Sequence, residues 1–232
     1  MGFDPVSYAM GAKAGGGGGG ASDTQFLSQI YLRRNKTPKS LTVDAKNAGY
    51  VCVQGFSSDS DADKTLEHMT INNVDSANVL SLYFLQCQAL KRIRVTGDPI
   101  IQRNNQMFSL CSHLQEIDAE IDFSRMSANN WYNTFYLCRM LTEVRVVPNS
   151  ILLTVQNGNF EGCSSLSDAS IISIANGLSG DVSGMSIALP EVIKTRCGQI
   201  VGTVSDGLFV QDDTGSLTLT DFITQTKGWT LA

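Results

Sequence analysis

Apolar residues recur with a fixed spacing in the middle of this chain, following the pattern F-x-x-C-x-x-L-x-x-(I/V/A). The cysteines of successive copies are 24, 27 and 25 residues apart. A period of this length is typical of repeat architectures, in which each unit buries its apolar face only against its neighbours. The four copies are Phe84-Cys87-Leu90-Ile93, Phe108-Cys111-Leu114-Ile117, Phe135-Cys138-Leu141-Val144 and Phe160-Cys163-Leu166-Ala169.

Each copy predicts two short elements. The segment L-x-x-I-x-V alternates like a half-buried strand, with every second residue pointing outward, and F-x-x-C before it predicts a tight helical turn. A degenerate earlier copy, with Leu66, Met69 and Ile71 in the same phase, brings the number of turns to five. We therefore predict an α/β solenoid over residues 61–175, in which short parallel strands stack from one turn to the next.

Stacking in register would align the outward residues into two columns across the predicted sheet. One column would hold His68, Arg92, Glu116, Glu143 and Asp168, and the other Thr70, Arg94, Asp118, Arg145 and Ser170. Neighbours of opposite charge in these columns could simply stabilise the sheet, or the columns could form a recognition face. The candidate ligand-binding residues on the second hypothesis are Arg92, Arg94, Glu116, Asp118, Glu143 and Arg145.

An aromatic pair in the longest connection is a further candidate for ligand contact. Trp131 and Tyr132 follow two asparagines, and aromatic side chains in such a loop offer contact area at low entropic cost. They could equally fold under and cover the core.

The N-terminal 22 residues divide into a short apolar segment and a glycine tract. Asp4 and Pro5 suit the start of a helix over residues 1–14, and Gly15 to Gly20 are uninterrupted glycine, which favours a flexible linker over 15–22. A tethered apolar helix suggests a docking element that would place Phe3, Val6, Tyr8 and Met10 in a groove of a partner. The helix could instead fold back on its own chain, or several chains could bundle their glycine tracts in an oligomer.

Segments without the repeat flank the solenoid and are expected to close its ends. Residues 23–60 predict an N-terminal cap of short strands, among them Leu41-Thr42-Val43 and Tyr50–Val53. Residues 176–232 predict a C-terminal cap. Around it we expect helices at 168–175 and 192–201, strands at 185–189 and 208–210, a short helix from Thr220 and a final strand from Trp229.

The composition argues against nucleic-acid binding, membrane insertion and metal binding. The net charge of −5 argues against a protein that binds nucleic-acid backbones, and no apolar run approaches a transmembrane length. The six cysteines include no C-x-x-C pair, and only His68 and His113 could supply imidazole ligands, so we expect no metal or cofactor. Without a basic and apolar leader we expect cytosolic synthesis, reduced cysteines and a buried column of repeat cysteines that behave as small apolar residues. Disulfides between turns are the less favoured alternative.

The repeat resembles the BspA-type leucine-rich repeat over about residues 60–175, a class found in surface proteins of host-associated bacteria and in their phages. The block Cys163-Ser-Ser-Leu166 and the ending Lys227-Gly-Trp-Thr-Leu-Ala232 resemble the closing unit of repeat proteins from phages and prophages of gut Firmicutes. The opening Phe3-Asp-Pro-Val-Ser-Tyr-Ala-Met-Gly resembles the leader of phage structural proteins from the same hosts.

This resemblance implies a virion structural or accessory protein, namely a fibre, tail-tip or head-decoration subunit. It would be assembled in the host cytoplasm, would bind other virion proteins through residues 1–20, and would present the repeat surface to a host-surface glycan or protein. Fibre and decoration proteins are often trimers, so a homotrimer is among the assemblies it implies. A bacterial protein-interaction or adhesin-like module is the alternative. A glycan hydrolase is a remote one, since Glu116, Asp118, Glu143 and Asp168 could supply a carboxylate pair. We expect a non-enzymatic protein.

Overall fold

The protein is described here by a computed structural model. It describes residues 39–44, 50–52, 66–74, 81–84, 86–97, 107–125, 133–155, 158–180 and 184–232, and the statements below concern these residues. Their strands are β1 Ser40–Asp44, β2 Tyr50–Cys52, β3 His68–Val74, β4 Ser81–Tyr83, β5 Arg92–Gly97, β6 Glu116–Ile121, β7 Glu143–Val146, β8 Ser186–Ile187, β9 Val201–Ser205, β10 Leu208–Gln211, β11 Leu217–Thr218 and β12 Thr230–Leu231. The helices are α1 Asp168–Gly177, α2 Glu191–Cys197 and the short α3 Leu219–Asp221, which continues as a π-helical turn, Phe222–Thr226.

The main element is a five-stranded parallel sheet with the order β1-β3-β5-β6-β7. The strands of this sheet follow one another in chain order, and each strand from β5 to β7 belongs to one copy of the sequence repeat. The strand predicted around Leu41 is confirmed as β1, but it is more than a cap strand. It pairs in register with β3, so that Leu41 lies beside Met69 and Val43 beside Ile71.

A second backbone ladder connects the F-x-x-C segments of neighbouring repeats. The amide of Phe84 donates to the carbonyl of Met107, that of Phe108 to Thr134, and that of Phe135 to Asn159, at 2.7, 2.8 and 2.9 Å. The residue just before each cysteine has a positive φ, which turns the chain toward the strand. These residues are Gln86, Leu110, Leu137 and Gly162, with φ of 61°, 64°, 58° and 83°.

The repeated apolar residues form the core between the two ladders. The four repeat phenylalanines stack as a column, with ring centroids 5.5, 5.5 and 5.2 Å apart and interplanar angles of 17°, 19° and 16°. The repeat leucines and cysteines are fully buried. The predicted core is confirmed except at Ala169, which is exposed because the fourth copy continues into α1 and not into a strand.

The end of the main sheet is covered by α1, which the sequence correctly predicts to be helical. Ser167 caps its N-terminus by accepting the amide proton of Ser170. The helix packs closely on β7, because a Cβ built on Gly177 would lie 2.6 Å from Cγ1 of Val146. An edge strand exposes unpaired amides and carbonyls, so a covering element removes a site for unwanted strand pairing.

The C-terminal segment forms two further small sheets. One is the antiparallel sheet β10-β9-β11, and the other pairs β8 with β12 in parallel. The prediction of a helix over 192–201 is wrong at its C-terminal end, since α2 stops at Cys197 and Val201 begins β9. Asp206 and Gly207, both with positive φ, form the two-residue hairpin turn between β9 and β10.

Candidate recognition face of the parallel sheet

One face of the main sheet turns polar and charged side chains outward, while the alternate residues enter the core. In β5 the residues Arg92 and Arg94 are exposed and Ile93 and Val95 are buried. The same alternation in β3, β6 and β7 places most of the candidate ligand-binding residues side by side. We call this surface the sheet face. It comprises His68, Thr70, Asn72, Arg92, Arg94, Thr96, Glu116, Asp118, Glu120, Glu143 and Arg145.

The first predicted column is confirmed across four strands. His68 pairs with Arg92, Arg92 with Glu116, and Glu116 with Glu143. In the second column Arg94 lies beside Thr70 and Asp118 as predicted.

The predicted register between Asp118 and Arg145 is wrong. Arg145 lies beside Glu120 and not beside Asp118. Between the pair Glu116–Glu143 and the pair Glu120–Arg145, β6 contains three residues and β7 contains only Val144. Such a bulge bends the wider strand locally. The Arg145 guanidinium nevertheless reaches Asp118, with 3.2 Å between Nη2 and Oδ1.

The last members of both predicted columns, Asp168 and Ser170, do not belong to the sheet face. Both lie in α1, where the chain forms a helix instead of another strand. The side chains of this helix replace the missing strand. The amide of Val144 donates to Oγ of Ser170 at 3.0 Å, and the amide of Val146 donates to Oγ of Ser173 at 2.9 Å. Two serine hydroxyls thus accept hydrogen bonds from two backbone amides on the outer edge of β7.

Asp118 is the centre of an ion-pair network on the sheet face. One of its carboxylate oxygens lies 3.0 Å from Nη2 of Arg92 and 3.6 Å from Nε of Arg94, and the other is bound by Arg145. Arg92 also contacts Glu116, at 3.1 Å. The Asp118 side chain is 27% exposed, whereas those of Arg94 and Arg145 are 61% and 60% exposed. The network therefore engages the guanidinium groups of the arginines, while the side chains of Arg94 and Arg145 remain largely exposed.

A second ion-pair cluster lies beside the sheet face, at the residues that precede the strands. Glu67 contacts Lys91 at 2.8 Å and Lys39 at 3.2 Å. Hydrogen bonds from Lys91 and Lys39 lower the pKa of Glu67 from 4.5 to about 2. Glu67 thus stays ionised between two lysines that precede β1 and β5, the strands on either side of β3.

The repeat cysteines also donate hydrogen bonds to the backbone of the preceding repeat. The thiol of Cys111 donates to the carbonyl of Phe84 in the preceding repeat, at 2.9 Å. Cys138 and Cys163 do the same toward Phe108 and Phe135, at 3.0 and 3.1 Å. The sequence pattern predicts burial of these residues, which is confirmed, but it gives no indication of a donor role.

Burial raises the pKa of the cysteine thiols and keeps them protonated. The effect is clear for Cys111 and Cys138, and it raises the pKa of Cys163 to about 12. A protonated thiol can donate its hydrogen bond but is a poor nucleophile and metal ligand. The alternative of disulfides between these turns is wrong, because none of the described cysteines is disulfide-bonded, namely Cys87, Cys111, Cys138, Cys163 and Cys197.

A small polar cleft lies in the C-terminal segment, away from the sheet face. Its volume is about 160 Å³, and it is lined by Asp168, Arg196, Gln199, Ile200, Val201, Gln211 and Asp213. The Arg196 guanidinium donates to the carbonyl of Leu166 and to the carboxylate of Asp168. Of its lining residues only Asp168 was singled out from the sequence, and there as a member of a sheet column and a possible catalytic carboxylate.

Several candidate residues lie outside the described part of the chain. These are Trp131 and Tyr132 of the long connection and Phe3, Val6, Tyr8 and Met10 of the N-terminal segment. Within the described residues, no group of three or more histidine, cysteine or acidic side chains is arranged to hold a metal ion. The described helices include none that is long and apolar enough to cross a bilayer.

Comparison of the chain with protein-family models, with curated proteins and with solved structures gave no match.

Proposed function

We propose that this protein is a non-enzymatic recognition scaffold, in which the stacked repeats form a BspA-like leucine-rich-repeat solenoid and the sheet face binds a host-surface glycan or protein. The observation that supports this proposal most strongly is the Asp118 network. It gathers three arginine side chains around one carboxylate on a continuous surface and leaves two of them well exposed.

The sheet face is preorganised, which favours binding. Every second residue of its strands is buried in the core, and backbone ladders on both sides of the repeat fix the distance between neighbouring strands. A rigid surface loses little conformational entropy when it binds a partner. The face also offers guanidinium, carboxylate, hydroxyl and amide groups, which suit a polar ligand.

We further propose that the scaffold belongs to a phage particle, as a fibre, tail-tip or head-decoration subunit. The support is the resemblance of the repeat and of both terminal motifs to phage-encoded proteins of gut Firmicutes. In this proposal Phe3, Val6, Tyr8 and Met10 dock to other virion proteins, and the glycine tract links that docking segment to the solenoid.

Mass spectrometry of purified particles tests the virion proposal. We expect peptides of the full chain at a constant ratio to a capsid protein, and we expect a chain lacking residues 1–20 to fold but to be missing from particles. Absence of the full chain from particles would contradict the virion proposal and favour a bacterial interaction module. Normal incorporation of the truncated chain would contradict the docking role.

Sedimentation of the purified full chain with host cells tests recognition separately. We expect the chain to be depleted from the supernatant by host cells and to remain in solution with cells that the phage does not infect. Equal retention by both kinds of cell would contradict specific recognition.

A further inference from the structure

The charges of the sheet face are arranged by strand. The outward residues of β3 are His68, Thr70 and Asn72, which include no carboxylate, and those of β6 are the acidic Glu116, Asp118 and Glu120. Between these two strands, β5 presents Arg92 and Arg94. An anion approaching β5 is therefore repelled from the β6 side and accepted from the β3 side.

The two arginines of β5 are engaged to different degrees. Arg92 is bound through two of its nitrogens, with Nε 3.1 Å from Glu116 and Nη2 3.0 Å from Asp118. Arg94 contacts Asp118 only through Nε, at 3.6 Å, which is longer than a hydrogen bond. Asp118 is also shared with Arg92 and Arg145, so Arg94 has only part of one carboxylate as a close partner among the described residues. The terminal amines of Arg94 donate no hydrogen bond to any described residue.

The neighbours of Arg94 on β3 supply unused polar groups. Thr70 lies directly beside Arg94 in the register, and its hydroxyl has no hydrogen bond among the described residues. Asn72 uses its carbonyl oxygen to accept a hydrogen bond from Thr96 at 3.3 Å, which leaves its amide NH2 group available. The guanidinium group of Arg94 can therefore bind an anionic group, while the neighbouring hydroxyl and amide can bind hydroxyl groups of the same ligand.

We propose that Arg94, together with Thr70 and Asn72, binds the anionic group of an acidic surface polysaccharide. A guanidinium group pairs with a carboxylate or a phosphate through two parallel hydrogen bonds, and the β3 side chains would bind the adjacent sugar or polyol hydroxyls. This inference rests on the proposed recognition function and specifies the class of ligand.

The full chain can be titrated with three probes: oligogalacturonate, a neutral galactose oligomer of the same length, and an oligomer of glycerol phosphate. We expect binding of at least one anionic probe, weakening as salt is added, and none of the neutral oligomer. The tighter anionic probe identifies the source, either a carboxylated sugar or a polyol phosphate. Equal binding of the neutral oligomer, or no binding of either anion, would overturn the proposal.

Variants distinguish a site from general attraction between charges. Arg94→Gln removes the guanidinium, and we expect it to weaken anion binding by about tenfold or more. Arg139→Gln removes an exposed arginine in the turn after Cys138, away from the sheet face, and should leave binding unchanged. Thr70→Val, which keeps the shape but deletes the hydroxyl, should weaken binding less than Arg94→Gln does. An equal loss in the two arginine variants would refute the site.

Failure of this inference can be separated from failure of the recognition function. If host-cell retention persists in Arg94→Gln but is lost when Arg92, Arg94 and Arg145 are all replaced, the anion site is wrong and the recognition face stands. If host cells never retain the chain but oligogalacturonate binding depends on Arg94, the anion site stands and cell recognition is wrong.

Discussion

The phenylalanine column should contribute to stability through contacts between rings, beyond simple burial. Phe135 stacks between Phe108 and Phe160, with ring centroids at 5.5 and 5.2 Å, whereas Phe160 contacts Phe135 alone within the column. Replacement by leucine keeps an apolar side chain in the core but deletes the ring. A stacked pair is worth about 0.5–1.5 kcal/mol beyond its buried area, so Phe135→Leu should lose about 1–3 kcal/mol and Phe160→Leu about half as much.

A double-mutant cycle measured by urea unfolding isolates the ring–ring term. The Phe135→Leu and Phe160→Leu variants are compared with the double variant, and we expect a coupling free energy of about 0.5–1.5 kcal/mol. The control cycle pairs Phe135→Leu with Phe209→Leu, because the Phe209 ring packs on Phe222 in the C-terminal segment. Its coupling should fall within about 0.5 kcal/mol of zero. Equal coupling in both cycles would refute the role of stacking between repeats.

Three further predictions follow from the geometry of the repeat. Gln86 has a φ of 61°, which glycine adopts without strain, so Gln86→Gly should raise the free energy of unfolding by about 0.5–1 kcal/mol. The control Gln88→Gly, at a residue without positive φ, should lower the free energy of unfolding. The reverse order in urea titrations would contradict the role assigned to the backbone conformation of Gln86. Because the pKa of Glu67 falls from 4.5 to about 2 on folding, its stabilising effect should be full above pH 4.5 and fade as the pH falls toward 2. The stability difference between the wild type and Glu67→Gln should therefore shrink from pH 4.5 downward and vanish below about pH 2, and a difference independent of pH would contradict this prediction. Burial and the raised pKa of the thiols should protect Cys138 and Cys163 from iodoacetamide at pH 8 until the chain is unfolded. Peptide mass spectrometry locates the label. Labelling of these two cysteines in the native protein would contradict the prediction and show that the core opens readily.

The sequence repeat was sufficient to predict the parallel strands and much of their register, because the spacing of leucine and isoleucine fixes which residues face inward. Arg92 beside Glu116 and Arg94 beside Asp118 follow from that spacing alone. The pattern could not reveal where the register changes. The bulge opposite Val144 depends on how β6 bends, and nothing in the residue spacing records it.

Other features were missed because the repeat motif describes burial and says little about hydrogen bonding. The donation from Cys111 to the Phe84 carbonyl depends on the direction of a thiol, which periodicity does not show. The in-register pairing of β1 with the sheet was missed since Leu41 is preceded by no F-x-x-C segment. The hairpin between β9 and β10 was signalled by Asp206-Gly207, a dipeptide typical of such turns, and could have been predicted.

Recognition of a surface ligand by the sheet face can be tested by measuring host-cell binding of a matched pair of variants. One variant replaces Arg92, Arg94 and Arg145 with glutamine, and the other makes the same replacement at Arg125, Arg139 and Lys194, so both lose three positive charges. The ion pairs of both sets are at least partly exposed, and surface pairs contribute only about 0–1 kcal/mol each, so both variants should stay folded. We expect the first variant to lose binding to host cells and the second to bind like the wild type. Unchanged binding by the first variant at normal thermal stability would contradict recognition by the sheet face.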